Sequence, residues 1–110
     1  MRWVKIFAGP TEAMEKVVEN NPRLLIVDGK RICLVKRENI LYAVGDRCTH
    51  NGESLSKGKV NFAGDIVCPW HGHQFSIKTG REFQERSPDL ECYHVKEEVD
   101  EIITIITEQI

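Results

Sequence analysis

The stretch CTHNGESLSKGKVNFAGDIVCPWHG, residues 48–72, holds the residues that decide how this chain folds and what it can bind. It begins with CTH at 48–50 and ends with CPWH at 68–71, and 17 residues separate the two groups. A metal needs deprotonated thiolates and neutral imidazoles that converge on it. Two short loops that each offer one cysteine and one histidine supply that arrangement. The spacing therefore predicts a metal site formed by Cys48, His50, Cys68 and His71.

The segment around these loops differs in composition from the rest of the chain. Its apolar runs are short, and glycines recur in it at positions 45, 52, 58, 64, 72 and 80. Because Gly supplies the backbone conformations that tight turns require, a segment of this kind is usually loop. We therefore predict a loop-rich lobe at about residues 45–80, held in shape by something other than a hydrophobic core.

The remainder of the chain reads mostly as strands. Apolar and β-branched residues form short runs bounded by turn residues, and Asp28-Gly29 between two such runs is a hairpin signal. Strands are predicted at residues 3–8, 24–27, 32–35, 40–44, 92–95 and 102–106. This pattern predicts an all-β fold, one antiparallel domain over residues 1–110 into which the lobe is inserted.

One short N-terminal helix is predicted at residues 11–19. Thr11 is a suitable N-cap for this segment. The residues that helical spacing places on one apolar face are Ala13, Met14, Val17 and Val18.

Composition and charge narrow the classes of protein. The formal net charge of −2 leaves no basic excess to neutralise the phosphates of a nucleic acid or to anchor the chain on an anionic membrane. The longest apolar runs are far shorter than a membrane span, and the first residues carry no secretory pattern. We therefore expect a cytoplasmic protein, in a reducing compartment where free thiols or metal ligands are commoner than disulfides.

The other cysteines and histidines are expected to be structural. Cys33 lies inside an apolar run and Cys92 near the start of a late strand, and buried free cysteine is a common small core residue. His94 alternates with its neighbours in the same late strand and is also assigned a structural role. His73 stands two residues beyond His71, and we expect it to lie near the site without binding the metal.

Two kinds of metal group fit two cysteines and two histidines. One is a single tetrahedral Zn²⁺, and the other is a [2Fe–2S] centre with thiolates on one iron and imidazoles on the other. Zinc fingers of this composition usually present a pair of cysteines and then a pair of histidines. Alternation of Cys and His in both loops suits the binuclear centre better, because each loop can then hold both irons.

These residues resemble the Rieske family, and most closely its small soluble ferredoxins such as those of ring-hydroxylating dioxygenase systems. The resemblance includes C-x-H, 17 residues, C-x-x-H, and continues through LSKG at 55–58, Phe75 and KTG at 78–80. It implies a Rieske-like antiparallel β-sandwich with a cluster-binding subdomain. It also implies one [2Fe–2S] cluster, with one iron bound by the two cysteines and the other by Nδ1 of the two histidines: Cys48, Cys68, His50 and His71.

The chain departs from the Rieske proteins of respiratory complexes. Those proteins carry an extra disulfide between the two loops, at positions that correspond here to Glu53 and Trp70, and they carry a membrane anchor. Their high potential is attributed to hydroxyls that hydrogen-bond the cluster and a ligand sulfur, at positions that correspond to His73 and Phe75. Because Phe75 offers no hydroxyl, we predict a reduction potential near the low end of the Rieske range, roughly −150 mV.

The resemblance implies a one-electron carrier and not an enzyme. Its donor would be a flavin-dependent ferredoxin reductase, its acceptor an aromatic-ring oxygenase or another redox enzyme, and it would act as a monomer. Too few residues remain for the separate mononuclear-iron domain that an oxygenase needs. Two alternatives stay open, a small electron-transfer subunit of a larger reductase, as in nitrite reductases, and a zinc-stabilised structural or partner-binding module.

Overall fold

A computed structural model of the chain describes residues 3–7, 12, 15–98 and 101–105, which form three antiparallel sheets. The first has the strand order β1-β10-β9, the second β2-β3-β4-β8 and the third β5-β6-β7. The strands are β1 (Trp3–Phe7), β2 (Arg23–Val27), β3 (Lys30–Arg37), β4 (Ile40–Gly45), β5 (Lys59–Val60), β6 (Asp65–Val67), β7 (Gln74–Ser76), β8 (Cys92–Tyr93), β9 (Val95–Glu98) and β10 (Glu101–Ile105). The prediction of an all-β antiparallel fold is confirmed.

Strand β3 lies at the centre of the molecule and is buried on both faces. Side chains of a strand alternate between its two faces. Ile32 and Leu34 therefore point into one core, and Cys33 and Val35 point into the other. The site-side core is formed by Cys33, Val35, Val44, Cys48, Leu55, Ile66, Cys68, Phe75, Ile77 and Leu90. The opposite core is formed by Phe7, Val17, Val27, Ile32, Leu34, Ala43 and Tyr93.

A tight hairpin joins β2 to β3. Asp28 and Gly29 both have positive φ, 52° and 80°, which is the conformation of the turn that Asp-Gly favours between antiparallel strands. The pairing of Val27 with Lys30 closes this turn. The hairpin predicted from Asp28-Gly29 is present.

The loop-rich lobe contains a small sheet as well as loops. In this lobe a 3-10 turn, Leu55–Lys57, is followed by the three strands of the third sheet, β5, β6 and β7. Leu55, Ile66 and Phe75 are fully buried there. The prediction that something other than a hydrophobic core holds this segment was therefore incomplete, because its apolar residues, although few, extend the site-side core.

The structure describes only part of the predicted helix. Of residues 11–19, Thr11, Ala13 and Met14 lie outside the described residues, and residues 12, 15 and 16 have helical conformation. The helical conformation ends before Val17, which is buried, whereas Val18 is exposed. The predicted end of the helix and the place of Val18 on its buried face were wrong, because the backbone leaves the helix to form a bridge between Glu19 and Lys36.

The late strand predicted at residues 92–95 is two strands in different sheets. Strand β8 pairs with β4, whereas β9 pairs with β10, and His94 lies where the chain passes from one sheet to the other. Cys92 was predicted to be a core residue, and this is wrong, since its side chain is exposed. Tyr93 occupies the buried face of the two-residue strand, so its neighbour faces the other way. Cys33 is buried as predicted.

The remaining predicted strands are present, but most of their ends differ by one or two residues. The strand predicted at 24–27 is Arg23–Val27, that at 32–35 is Lys30–Arg37, and that at 40–44 is Ile40–Gly45. The last residue predicted for the first strand, Ala8, and for the final strand, Ile106, lie outside that part of the chain. Among the described residues no helix is both long enough and apolar enough to cross a lipid bilayer.

Gly80 holds a turn that a larger residue would disrupt. Its φ is +79°, and a Cβ at this position would lie 2.3 Å from the carbonyl oxygen of Leu90. Gly29 has almost the same φ, +80°, but a Cβ there would meet nothing within 4 Å. Substitution would strain the backbone at both positions, but only at Gly80 would the new Cβ overlap another atom.

We predict that Gly80→Ala lowers the free energy of unfolding by about 2 kcal/mol more than Gly29→Ala does, because the overlap with the Leu90 carbonyl adds to a shared conformational cost of about 1 kcal/mol. Urea unfolding followed by circular dichroism measures both variants against the wild type. Equal losses of stability for the two variants would contradict the prediction.

Candidate metal centre

Two backbone turns present the predicted ligands. In the first turn, the N–H of Cys48 donates to the carbonyl of Glu53 (2.8 Å) and the N–H of Gly52 donates to the carbonyl of Cys48 (2.7 Å). In the second, between β6 and β7, the N–H of Cys68 donates to the carbonyl of His73 (2.8 Å). Each turn thus closes on its own cysteine, which fixes where the two thiols lie.

The thiols of Cys48 and Cys68 lie next to each other in the site-side core. Both cysteines are almost fully buried, at 2% and 1% exposed, and belong to the same cluster of packed core residues. Burial raises the pKa of the Cys68 thiol, and the neighbouring thiol of Cys48 raises it further. A pair of thiols in this setting suits a positively charged group, which would compensate two adjacent thiolates.

The rings of His50 and His71 lie at the surface beyond the cysteines. Both residues are exposed, their ring centroids are 5.8 Å apart, and their ring planes are tilted by 58°. His71 has a positive φ of 76°, and the Gly72 that follows it has one of 73°. This unusual backbone conformation turns the second loop sharply at the histidine, so the imidazole is presented outward while Cys68 stays inside.

The structure places a third imidazole, that of His73, against the site. His73 is buried, at 6% exposed, and its ring stacks on that of His50 with centroids 4.0 Å apart and 10° between the planes. The lone pair of an imidazole nitrogen lies in the plane of its ring, so two histidines bind one metal only where their planes meet. Nearly parallel rings do not meet near the site. The geometry therefore favours His71 over His73 as the partner of His50.

The four residues fit a binuclear group in their donor types and their order. The two sulfur donors are buried on the inner side, and the two tilted imidazole rings lie on the outer side. Each iron of a [2Fe–2S] centre of this kind takes two protein ligands, whereas a single zinc takes all four. Among the described residues, no three His, Cys, Asp or Glu side chains converge closely enough to hold one metal ion.

Asn51 links the two loops and was not singled out from the sequence. Its side-chain Nδ2 donates to the carbonyl of Trp70 (3.2 Å), and its Oδ1 accepts from the N–H of Glu53 (2.9 Å) and from the Cys68 thiol (3.7 Å). Asn is common in turns for its local backbone hydrogen bonds, and Asn51-Gly52 gives that signal. The contact with Trp70 on the other loop had no sequence signal.

Asp46 supports the base of the first loop. Its carboxylate is buried and accepts hydrogen bonds from the hydroxyl of Ser54 (2.6 Å), the N–H of Ser56 (2.8 Å) and the guanidinium of Arg31 (3.2 Å). A buried carboxylate is stable only when its oxygens are bonded in this way. The network therefore holds the first loop against β3 just before Cys48.

An ion pair between the buried Glu82 and the partly exposed Arg86 supports the segment at residues 80–90. The Glu82 side chain is fully buried and accepts from the N–H of Arg86 (2.7 Å), from its Nε (3.1 Å) and from its second guanidinium nitrogen (2.8 Å). These bonds hold the pKa of the Glu82 carboxyl down at about 2. The spacing of four residues was visible in the sequence, but the burial of the Glu82 carboxylate was not.

The same segment packs beside the candidate metal centre. The hydroxyl of Thr49, between Cys48 and His50, donates to the carbonyl of Pro88 (2.5 Å). At its start, the N–H of Phe83 donates to the carbonyl of Gln74 (2.7 Å), the first residue of β7. The segment is thus tied to the first ligand loop and to the strand that follows the second.

Comparison with known proteins assigns the family. The model of the Rieske [2Fe-2S] domain matches residues 7–96. Apoptosis-inducing factor 3 of Mus musculus is 39% identical over 64 residues, 58% of this chain and 10% of that protein, so the chain spans about a tenth of its length. The ferredoxin component of the naphthalene 1,2-dioxygenase system of Pseudomonas putida is 27% identical over 81 residues, 74% of this chain and 72% of that protein.

A solved structure agrees with the match. The complex of reduced oxygenase and oxidised ferredoxin of carbazole 1,9a-dioxygenase contains a chain that is 26% identical, with a TM-score of 0.76, over 92% of this chain and 90% of that one. This chain belongs to the Rieske [2Fe-2S] domain family. Its cofactor is one [2Fe–2S] cluster.

We predict that Glu82→Gln lowers the free energy of unfolding by about 2 kcal/mol at pH 7, because it weakens charge-assisted hydrogen bonds to a buried carboxylate. The native pKa of about 2 lies below the ordinary value of 4.5. The ionised Glu82 carboxylate therefore makes its full contribution to the free energy of unfolding above about pH 4.5, and this contribution is lost as the pH falls toward 2.

The difference in stability between wild type and Glu82→Gln should accordingly narrow from pH 5 to pH 3, as measured by thermal unfolding at a series of pH values. Glu85→Gln is the matched control, since Glu85 also pairs with an arginine four residues away, Arg81, but both side chains are exposed. We expect this control to change stability by less than about 1 kcal/mol. A stability difference between wild type and Glu82→Gln that is constant with pH would contradict the stabilising role of the ionised Glu82 carboxylate.

Proposed function

We propose that this chain carries single electrons on one [2Fe–2S] cluster, with Cys48 and Cys68 on one iron and His50 and His71 on the other. The observation that carries the proposal is the division of the site. Two thiols are buried in the same core, and two imidazoles from the same two loops are exposed at the surface.

The ligand set determines how easily the site accepts an electron. When bound, the cluster accepts and returns one electron at a time. Two thiolates cancel the 2+ charge of the oxidised core, so the electron is added to a neutral site, whereas four thiolates would give a site of charge −2. Neutral imidazoles at His50 and His71 therefore make the electron easier to accept.

The exposed histidines also provide the path for the electron. Because Cys48 and Cys68 are buried and His50 and His71 are exposed, the histidine edge is the part of the site that a partner could approach most closely. Trp70 lies beside it, 56% exposed, with its ring centroid 5.0 Å from that of His71. We propose that electrons enter and leave at this tip, defined by His50, Trp70 and His71.

We propose partners of two kinds for this tip. The acceptor is an oxygenase, by analogy with the ferredoxin component of a naphthalene dioxygenase system and with the ferredoxin solved in complex with an oxygenase. The donor is a flavin-dependent ferredoxin reductase. We further propose that the protein acts as a monomer in the cytoplasm and that residues 1–110 form one Rieske domain with its cluster-binding lobe at about 45–80.

An anaerobic spectrum with metal analysis tests the proposal most directly. Two irons per chain and a rhombic EPR signal of low average g in the reduced protein are expected, with a midpoint near −150 mV. A colourless protein with one zinc would overturn the proposal and favour a structural module. Co-purification with a larger reductase subunit would favour the alternative that resembles nitrite reductases.

We predict that Cys48→Ser abolishes the [2Fe–2S] absorption and reduces the iron content to near zero, because the remaining three ligands leave one iron with a single strong donor. Cys92→Ser is the matched control, since Cys92 is an exposed thiol outside the site. Iron and acid-labile sulfide analysis of both purified variants measures the effect. A fully loaded Cys48→Ser protein would show that the ligand set is wrong.

We predict that Trp70→Ala slows electron transfer to and from the partners by about tenfold, the loss typical of an aromatic side chain at the centre of an interface. Phe62→Ala is the control, because Phe62 is 99% exposed on the turn between β5 and β6. Stopped-flow reduction and oxidation of the purified protein give both rates. Rates that do not change with Trp70→Ala would contradict docking at the tip.

A further inference from the structure

His73 is a third histidine at the site, and the proposed ligand set does not use it. Its ring lies face to face with that of His50, with centroids 4.0 Å apart and 10° between the planes. From this contact we propose that His73 is a positioning residue, whose ring holds the plane of the His50 imidazole toward the iron. The inference rests on the proposed function in one respect, that His50 is a ligand.

His50 needs such a support because of where it lies. It is exposed and belongs to a loop, and the terminal torsion of a histidine side chain is soft. Rotation about that torsion would swing the ring nitrogen out of line with the metal. A second ring packed flat against one face blocks the rotation, while the other face and the outer edge stay available to a partner.

His73 is itself held firmly. It is buried, and its carbonyl accepts the N–H of Cys68, so the residue closes the second loop. Strand β7 begins at the next residue, Gln74, which pairs with Val67 of β6. The stack therefore joins a residue fixed by the second loop to a ligand carried by the first.

The Nδ1 nitrogen of His73 is not what holds the ring in place. It is buried and has no hydrogen-bond partner in the described part of the chain. An unpaired buried nitrogen is unfavourable, so the ring keeps this position in spite of Nδ1 and not through a bond that Nδ1 makes. A phenylalanine would present the same flat face without this cost, which makes it the informative substitution.

The stack should also affect the energy of the bound electron. His73 covers one face of His50 and excludes water from it. Reduction leaves the site more negative, and water stabilises that state more than an aromatic ring does. Removal of the ring is therefore expected to raise the midpoint potential, and a freely rotating His50 is expected to broaden the EPR lines of the reduced cluster.

The test compares His73→Ala, His73→Leu and His73→Phe with the wild-type protein, each purified anaerobically with its cluster. We expect His73→Ala and His73→Leu to broaden the EPR lines and shift the midpoint to more positive values, with a smaller shift for leucine because it fills more of the space. His73→Phe should keep the wild-type line width. Circular dichroism and iron content show whether each variant is folded and loaded.

Two results would overturn the role of His73. One is a loaded His73→Ala or His73→Leu protein with wild-type line width and potential. The other is a His73→Phe protein that changes as much as the alanine variant, since this would assign the effect to the nitrogen. A wild-type protein without iron would overturn the proposed function itself, so the two failures are distinguishable.

Discussion

Two thiols buried in one core, those of Cys48 and Cys68, are the constraint on which the rest of this structure depends. Burial disfavours ionised sulfur, and two such groups side by side disfavour it more, so the chain has to hold them together and supply a compensating charge. The site-side core keeps the two thiols together, because Cys48 and Cys68 belong to the same packed cluster as Cys33 and Val35 of β3. The ligand loops are thereby anchored to the most buried strand of the chain.

The features that sequence predicted well are those encoded by local spacing. The hairpin at Asp28-Gly29 needs positive φ at two successive residues, and few pairs supply it as readily. The two loops stood out because metal ligands are cysteines and histidines at short spacing, and the assignment of these four residues as ligands stays a prediction. The apolar run in β3 similarly marked a strand, although its residues were not assigned to two separate cores.

The features that sequence missed depend on contacts between distant segments. Asn51 reaches across to the carbonyl of Trp70, and Glu82 becomes a fully buried carboxylate only because the segment that carries it folds over the core. Cys92 was misplaced because a two-residue strand that switches sheets carries no periodicity to read. The stacking of the His73 ring on that of His50, and the tilt of the His71 ring, likewise had no sequence signal.

Because β3 is buried on both faces, its successive side chains pack into two different cores. Ile32 and Leu34 pack into a core that contains neither Cys48 nor Cys68, while Cys33 and Val35 line the core that does. Adjacent positions of one strand therefore meet different packing requirements. Sequence drift, or deliberate redesign for heat resistance, can proceed on the side of Ile32 and Leu34 without altering the surroundings of the redox group.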